Sequence, residues 1–272
     1  MLAKTQHLFD DATRVTAGDS RWRGQTSDDY WAFVGPFGGA TAATILRALI
    51  DHPQRSGDPL ALTVNFCAPI AQGAFDLDVR LVKANRSTQH WSVELPQEGA
   101  EVAAFATAVF AERRPSWSHQ QAAFPHAKPF EQILPYPKVA ASWVKQYDLR
   151  FVEGDPDFNG RARGSPANAF SKLWIGDRVP RKIDMLSLMA MSDAFFGRVF
   201  HARRELVPFG TVSLTTYFHA DTEDLAAEDI SRVLAVADAR IFHKSYGDQS
   251  GELWSPGGRL LATTHQIAYF KA

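Results

Sequence analysis

The feature that most constrains how this chain can fold is a repeat: one helical stretch followed by several strand-like runs occurs twice in 272 residues. In the first half, Gly35-Pro36-Phe37-Gly38-Gly39 interrupts regular structure. Ala42, Ile45, Leu46, Leu49 and Ile50 then recur at helical spacing, which predicts a helix over 40–50 with one buried face. His52-Pro53 and Gly57-Asp58-Pro59 end it. Strand-like runs follow at 60–66, 75–82, 89–95 and 102–111, the last two flanking a turn at Pro96-Gln97-Glu98-Gly99. From Arg113 to Lys138 the chain places five of its 15 prolines, which rules out a continuous helix or a central strand. Strand-like runs at 145–152 and 169–175 come next, around a Gly/Asn/Pro loop at 154–166. An apolar segment at 185–200 predicts the second helix, and strands are expected at 211–219, 233–242, 251–254 and 259–270. The fold class is therefore α+β, in tandem units 1–113 and 146–272 joined by a Pro-rich linker over 114–145. Glu94-Leu95 falls on Glu252-Leu253 and Gly99 on Gly257 at one offset, Phe66 falls on Phe218, and one further residue in the second turn lays Thr107 on Gln266. Two unrelated α+β domains are the alternative.

Composition narrows the function. Hydrophobic residues at 45% and charged residues at 22% are globular values. The balance of 29 basic and 30 acidic side chains lacks the electrostatic footprint of a nucleic-acid binder. Met1-Leu2-Ala3-Lys4 leads into Gln6, His7, Asp10 and Asp11, so no secretory h-region is expected and no membrane-spanning run follows. The single cysteine, Cys67, fits a reducing compartment, with the cytoplasm as the expected location; a buried, inert thiol is its expected state. Gly247-Asp248-Gln249-Ser250-Gly251 has its serine one place too late for a nucleophile elbow. The nine histidines form neither H-E-x-x-H nor a Cys/His cluster, so no metal is expected. Gly35, Gly38 and Gly39 match no phosphate loop, and Asn85-Arg86-Ser87 is a chance sequon in a cytoplasmic chain.

Two polar groups stand out against the apolar pattern. On the second helix Leu186, Met189, Asp193, Phe196 and Phe200 form one stripe, which puts a carboxylate in line with sheet-facing side chains. Such an acid either belongs to a site with a raised pKa, or marks a helix rotated from this placement, or caps a turn. On the last strand Leu260, Ala262, Thr264, Gln266, Ala268 and Phe270 share a face, and Gln266 is its largest polar member. A lone Gln in a strand is more often structural than catalytic. Thr211 is expected on one face with Ser213 and Thr215, where solvent exposure explains a threonine equally well.

A helix led by Gly38-Gly39 and wrapped by an antiparallel meander, present twice, resembles the double hotdog arrangement. The second half is similar in particular to acyl-CoA thioesterase II and the wider thioesterase-like group. The resemblance is carried by Ser192-Asp193, by Thr211 followed by Tyr217-Phe218-His219, and by Leu260 to Gln266, in the family's order. It implies that Asp193, Thr211 and Gln266 form a site for thioester hydrolysis. Gly210 to Leu214 lacks the Asp-His pair usual after the threonine, and Ala220-Asp221 stands where an Arg-Pro is usual, so Thr211 is the least anchored of the three. The implied chemistry is attack by an oriented water, with Asp193 as base, Gln266 and Thr211 holding the water, and backbone N–H groups around Gly38 and Gly39 binding the substrate oxyanion. Arg161, Arg163, Arg178, Arg181 and Lys182 are the basic residues available to CoA phosphates, or are simply solvated. No cofactor is implied, and the expected partners are an acyl-CoA or related thioester substrate in fatty acid metabolism and a second copy in a homodimer. The rival expectations are a non-catalytic double hotdog that binds an acyl thioester or another apolar ligand, and an enoyl-thioester hydratase. The latter wants a His paired with an acid, and His201 falls at a poor helical offset from Asp193.

Overall fold

A computed structural model of the chain describes residues 7–18, 21–97, 100–137, 141–156 and 168–271. The N-terminal part runs α1 (Leu8–Ala12), β1 (Thr16–Ala17), β2 (Trp22–Gln25), α2 (Gly38–Ile50), β3 (Asp58–Phe66), β4 (Ala74–Ala84), β5 (Thr88–Gln97) and β6 (Ala100–Ala111). The C-terminal part runs β7 (Tyr147–Glu153), β8 (Ser171–Asp177), α3 (Met185–Met191), α4 (Arg198–Arg203), β9 (Phe209–Phe218), α5 (Thr222–Glu228), β10 (Arg232–Asp238), β11 (Phe242–His243), β12 (Tyr246–Trp254) and β13 (Leu260–Phe270). The tip of the first hairpin, Glu98 and Gly99, and the basic residues Arg161 and Arg163 lie outside the described residues.

The strands form one antiparallel sheet in the order β1-β2-β4-β5-β6-β3-β9-β13-β12-β10-β8-β7, with β11 paired to β12. The order reads alike from either end, with β3 and β9 at its centre, which is the signature of a double hotdog. At that centre Thr63 lies opposite Thr215, and their hydroxyls meet at 2.9 Å. The offset that lays Phe66 on Phe218 also lays Thr63 on Thr215, so an internal two-fold passes between these threonines. Inside the sheet, α2 is buried nearly all round, as befits a central helix with Ala42, Ala43, Leu46 and Leu49 on several faces. The start of α2 abuts the end of α3, because Gly39 presents no Cβ: one there would lie 2.4 Å from the Ala190 carbonyl oxygen.

Register corrects the sequence-based superposition. Gln266 pairs with Leu214, and Leu62, the two-fold counterpart of Leu214, pairs with Ala108. Gln266 therefore falls on Ala108, not Thr107. Thr107 points to the other, exposed face, since a slip of one residue exchanges the faces of a strand. The offset set by Glu94 and Glu252 continues unbroken into β13, and no extra residue is needed. The helix expected over 185–200 is also shorter: α3 ends at Met191, Ser192 and Asp193 form a turn, and α4 restarts after Gly197. The Ser192 hydroxyl donates back to the Leu188 carbonyl at 2.7 Å, competing with the helical ladder where α3 stops. The strand expected over 233–242 divides into β10 and β11. Helix α5 was not anticipated, although Asp221 and Asp224 form a reciprocal capping box at its start.

Residues 114–137 run largely without regular structure across the outer side of the C-terminal sheet. Phe130, Ala127 and Ile133 pack on a small second core of Trp174, Leu234 and Trp254. Leu260 N–H donates to the Gln120 side chain at 2.8 Å, and Trp174 Nε1 donates to the Lys128 carbonyl at 2.9 Å, which ties the segment down.

Candidate active site

Two of the three polar residues, Asp193 and Thr211, are positioned by a local irregularity, whereas Gln266 sits in regular strand pairing. Asp193 sits in the turn where α3 breaks, so its carboxylate lies between the start of α2 and the sheet strand β13. A Cβ on Gly38 would stand 2.7 Å from Asp193 Oδ2 and 3.2 Å from the Phe66 ring, and the absence of one lets the carboxylate approach. The Gly39 backbone N–H donates to this carboxylate. The Gly39 N–H, expected to serve a substrate oxyanion, thus faces the Asp193 carboxylate. The N–H of Gly38, the first helical residue, has no acceptor within the helix.

Thr211 reaches the site through a β-bulge. From Ile267 opposite Ser213 to Ala268 opposite Thr211 the pairing of β9 skips Val212, which is 38% exposed. The extra residue reverses the alternation, so Thr211 faces inward with Leu214 and Thr216, whereas Ser213 and Thr215 face outward. The single face predicted for Thr211, Ser213 and Thr215 does not exist. Its inward turn brings Thr211 Oγ1 to 3.1 Å from Gln266 Oε1, to which it donates. Gln266 Nε2 in turn donates to Asp193 Oδ1 at 3.2 Å. The hydroxyl fixes which end of the carboxamide faces the acid, and the three side chains form one directed relay.

The relay is buried, with Asp193 at 8% and Gln266 at 6% exposure. Burial pushes the Asp193 carboxyl up to about 7, against the opposing pull of the hydrogen bonds from Gln266 and Gly39. A carboxyl ionising near neutrality is suited to accepting a proton. Aromatic rings close the surroundings: Phe37 stacks on Trp143 at 4.5 Å, and Trp143 lies 6.0 Å from Phe196.

The same positions in the N-terminal unit carry no such groups. The bulge recurs there between Pro59 and Ala61, and the two-fold lays Thr211 on Pro59, Gln266 on Ala108 and Gln249 on Trp91.

Other expectations fare differently. Arg181 is not a free loop cation: it donates to Asp10, Asp184 and Ser187, and those bonds outweigh burial and hold its pKa above the ordinary range. Arg178 donates to the carbonyls of Lys145 and Tyr147, and Lys182 pairs with Asp229. Cys67 is exposed rather than buried. His201 is buried and accepts from Arg198 at 3.1 Å, and burial with the Arg198 charge pushes it down to about 2. Among the described residues no group of three His, Cys, Asp or Glu side chains is placed to hold a metal ion, and no helix is long and apolar enough to cross a membrane. Sequence reasoning passed over Gln249, which stands directly opposite Gln266 on β12 and is 5% exposed.

Fold and site together define a double hotdog protein with one such polar relay among the described residues. Residues 104–270 match the model of the acyl-CoA thioesterase C-terminal domain, and residues 27–111 match that of the acyl-CoA thioesterase N-terminal domain. The chain belongs to the acyl-CoA thioesterase family. It is 41% identical to a conserved protein of unknown function with a hot dog fold from Alicyclobacillus acidocaldarius, over 98% of this chain and 99% of that one, with a TM-score of 0.92. A putative thioesterase II from Thermobifida fusca shares 18% identity and a TM-score of 0.84 over 98% of this chain and 99% of that one. The acyl-CoA thioesterase II TesB2 from Mycobacterium marinum shares 19% identity and a TM-score of 0.75 over 97% and 98%. No curated protein matches the chain.

Proposed function

We propose that the protein hydrolyses an acyl-CoA thioester to the free acid and CoA by direct attack of a water, with Asp193 as general base. The observation that carries this is the directed relay from Thr211 through Gln266 to a buried carboxylate at the head of α2. A water bound between Gln266, Thr211 and Asp193 gives a proton to Asp193 as its oxygen bonds to the thioester carbonyl carbon. The carbonyl π-electrons move to oxygen, where the Gly38 N–H at the positive end of α2 stabilises the oxyanion, by about 3 kcal/mol for one such donor. Collapse of the tetrahedral intermediate re-forms the carbonyl and breaks the C–S bond, and the departing thiolate takes the proton from Asp193. Family membership supports the substrate class, and the replacement of Thr211 and Gln266 by Pro59 and Ala108 in the first unit supports one working site per chain. The protein acts as a cytoplasmic homodimer in fatty acid metabolism under this proposal.

A hydratase mechanism is disfavoured, because His201 is held neutral against Arg198 rather than paired with Asp193. Thiol release from acyl-CoAs of graded chain length tests the proposal with the wild type, Asp193→Ala and Gln266→Ala. Release by the wild type and loss in both variants is expected. Variants that retain the wild-type rate would remove the assigned site, and a wild type that binds without releasing thiol would make the protein a carrier.

A further inference from the structure

Gln266 borders a cavity of about 10 Å³ whose lining includes Arg198, Asp248, Gln249, Phe209, Phe242 and Phe270. That volume holds one water-sized group and no stretch of alkyl chain. Two features make its chemistry specific. Gln249 Nε2 is buried and has no hydrogen-bond partner, an unusual and costly state for a carboxamide donor. Arg198, 3% exposed, spends its donors on the carbonyls of Phe196 and Ala169, on Ser171 and on His201. Among the described residues it has no carboxylate at ion-pair distance: Asp238 acts on it only through space, and Asp248, which borders the same cavity, accepts from the backbone N–H groups of Arg240 and Ile241. An unsatisfied donor beside such a charge favours an electron-rich oxygen over a methyl or methylene group. In the N-terminal unit Trp91 occupies the corresponding position opposite Ala108, an indole whose Nε1 is likewise buried without a partner in place of the carboxamide.

We propose that Gln249 is a specificity-determining residue, which recognises an oxygen on the acyl chain and directs the site toward short acyl thioesters oxygenated at or near the third carbon. The distance follows from the sheet. Gln249 and Gln266 are cross-strand neighbours, on strands about 5 Å apart. Under the thioesterase proposal Gln266 contacts the reacting water, and the strand spacing then sets the Gln249 donor against the acyl chain two or three bonds beyond the carbonyl carbon. The wall of Phe209, Phe242 and Phe270 closes the space behind it. The identity of the substrate rests on the thioesterase proposal; the unsatisfied donor does not.

The test uses non-hydrolysable thioethers, S-butyl-CoA and S-(3-hydroxybutyl)-CoA, titrated calorimetrically into the wild type, Gln249→Leu and Gln249→Met. Thiol release from butyryl-CoA and 3-hydroxybutyryl-CoA is followed in parallel. The wild type is expected to bind the hydroxylated ligand about tenfold more tightly, the worth of one hydrogen bond to an otherwise unsatisfied donor. Either folded variant is expected to bind the two within about twofold of each other, chiefly by losing the hydroxylated one. A wild type without preference, or variants that keep it, would overturn the assignment. So would an equal loss on both ligands, which is the mark of a packing role. Thiol release without ligand preference would leave the thioesterase proposal standing and remove Gln249. Preference without thiol release in the wild type would do the reverse.

Discussion

Asp193→Asn separates what this carboxylate does for chemistry from what it does to stability. In the folded chain the group ionises at about 7, whereas in the unfolded chain it ionises near 4, so the folded state binds the proton more tightly. Its contribution is therefore fully present below about pH 4 and is lost as pH rises through 7. Over that range the wild type forfeits up to about 4 kcal/mol on account of this one group. Asparagine carries no such charge, but it offers one acceptor oxygen where the carboxylate offers two. Gln266 and Gly39 both donate here, so one donor loses its partner at a cost of about 1–2 kcal/mol. The net expectation is a variant more stable than wild type by about 2 kcal/mol at pH 8 and no more stable at pH 5. Urea unfolding of both proteins at pH 5, 6, 7 and 8 measures it, with the difference between midpoints widening as pH rises. An advantage independent of pH, or a wild type that gains on the variant between pH 5 and 8, would show that burial does not control this carboxyl.

Two further outcomes follow from the geometry. Gly39→Ala places a Cβ 2.4 Å from the Ala190 carbonyl oxygen and 2.6 Å from the Phe37 ring. Thermal unfolding should show a loss of about 3 kcal/mol, and an unchanged melting temperature would mean that α2 and α3 are free to separate. Thr211→Val removes the donor that orients the Gln266 carboxamide, so kcat should fall roughly tenfold or more while Thr211→Ser keeps most of it; equal rates for the two would release Thr211 from the relay.

The helical spacing of α2 and the period-two runs of the long strands announced the architecture, because both depend on local patterns that burial imposes on sequence. Asp193 and Gln266 were visible for the opposite reason: each is a large polar group on a mainly apolar face. The route by which Thr211 joins them was not legible. A β-bulge adds one residue without any composition signal, and the alternation predicted the wrong face. The break after α3 was equally hidden, since Ser192 and Asp193 sit within an apolar stripe that continues past them to Phe200. The superposition of Gln266 on Thr107 failed because turn lengths were matched where strand register decides. Gln249 escaped notice because its significance lies across the strand, opposite Gln266, and not along its own segment.

The most direct test of Asp193 as general base is the pH dependence of thiol release from a saturating acyl-CoA, for the wild type and Asp193→Asn. The wild-type kcat should rise with pH and level off above about 7, where the carboxylate is ionised, and the variant should fall by about 10²- to 10⁴-fold and lose that rising limb. A variant that retains the wild-type rate, or a wild-type rate that is flat between pH 5.5 and 8.5, would contradict it.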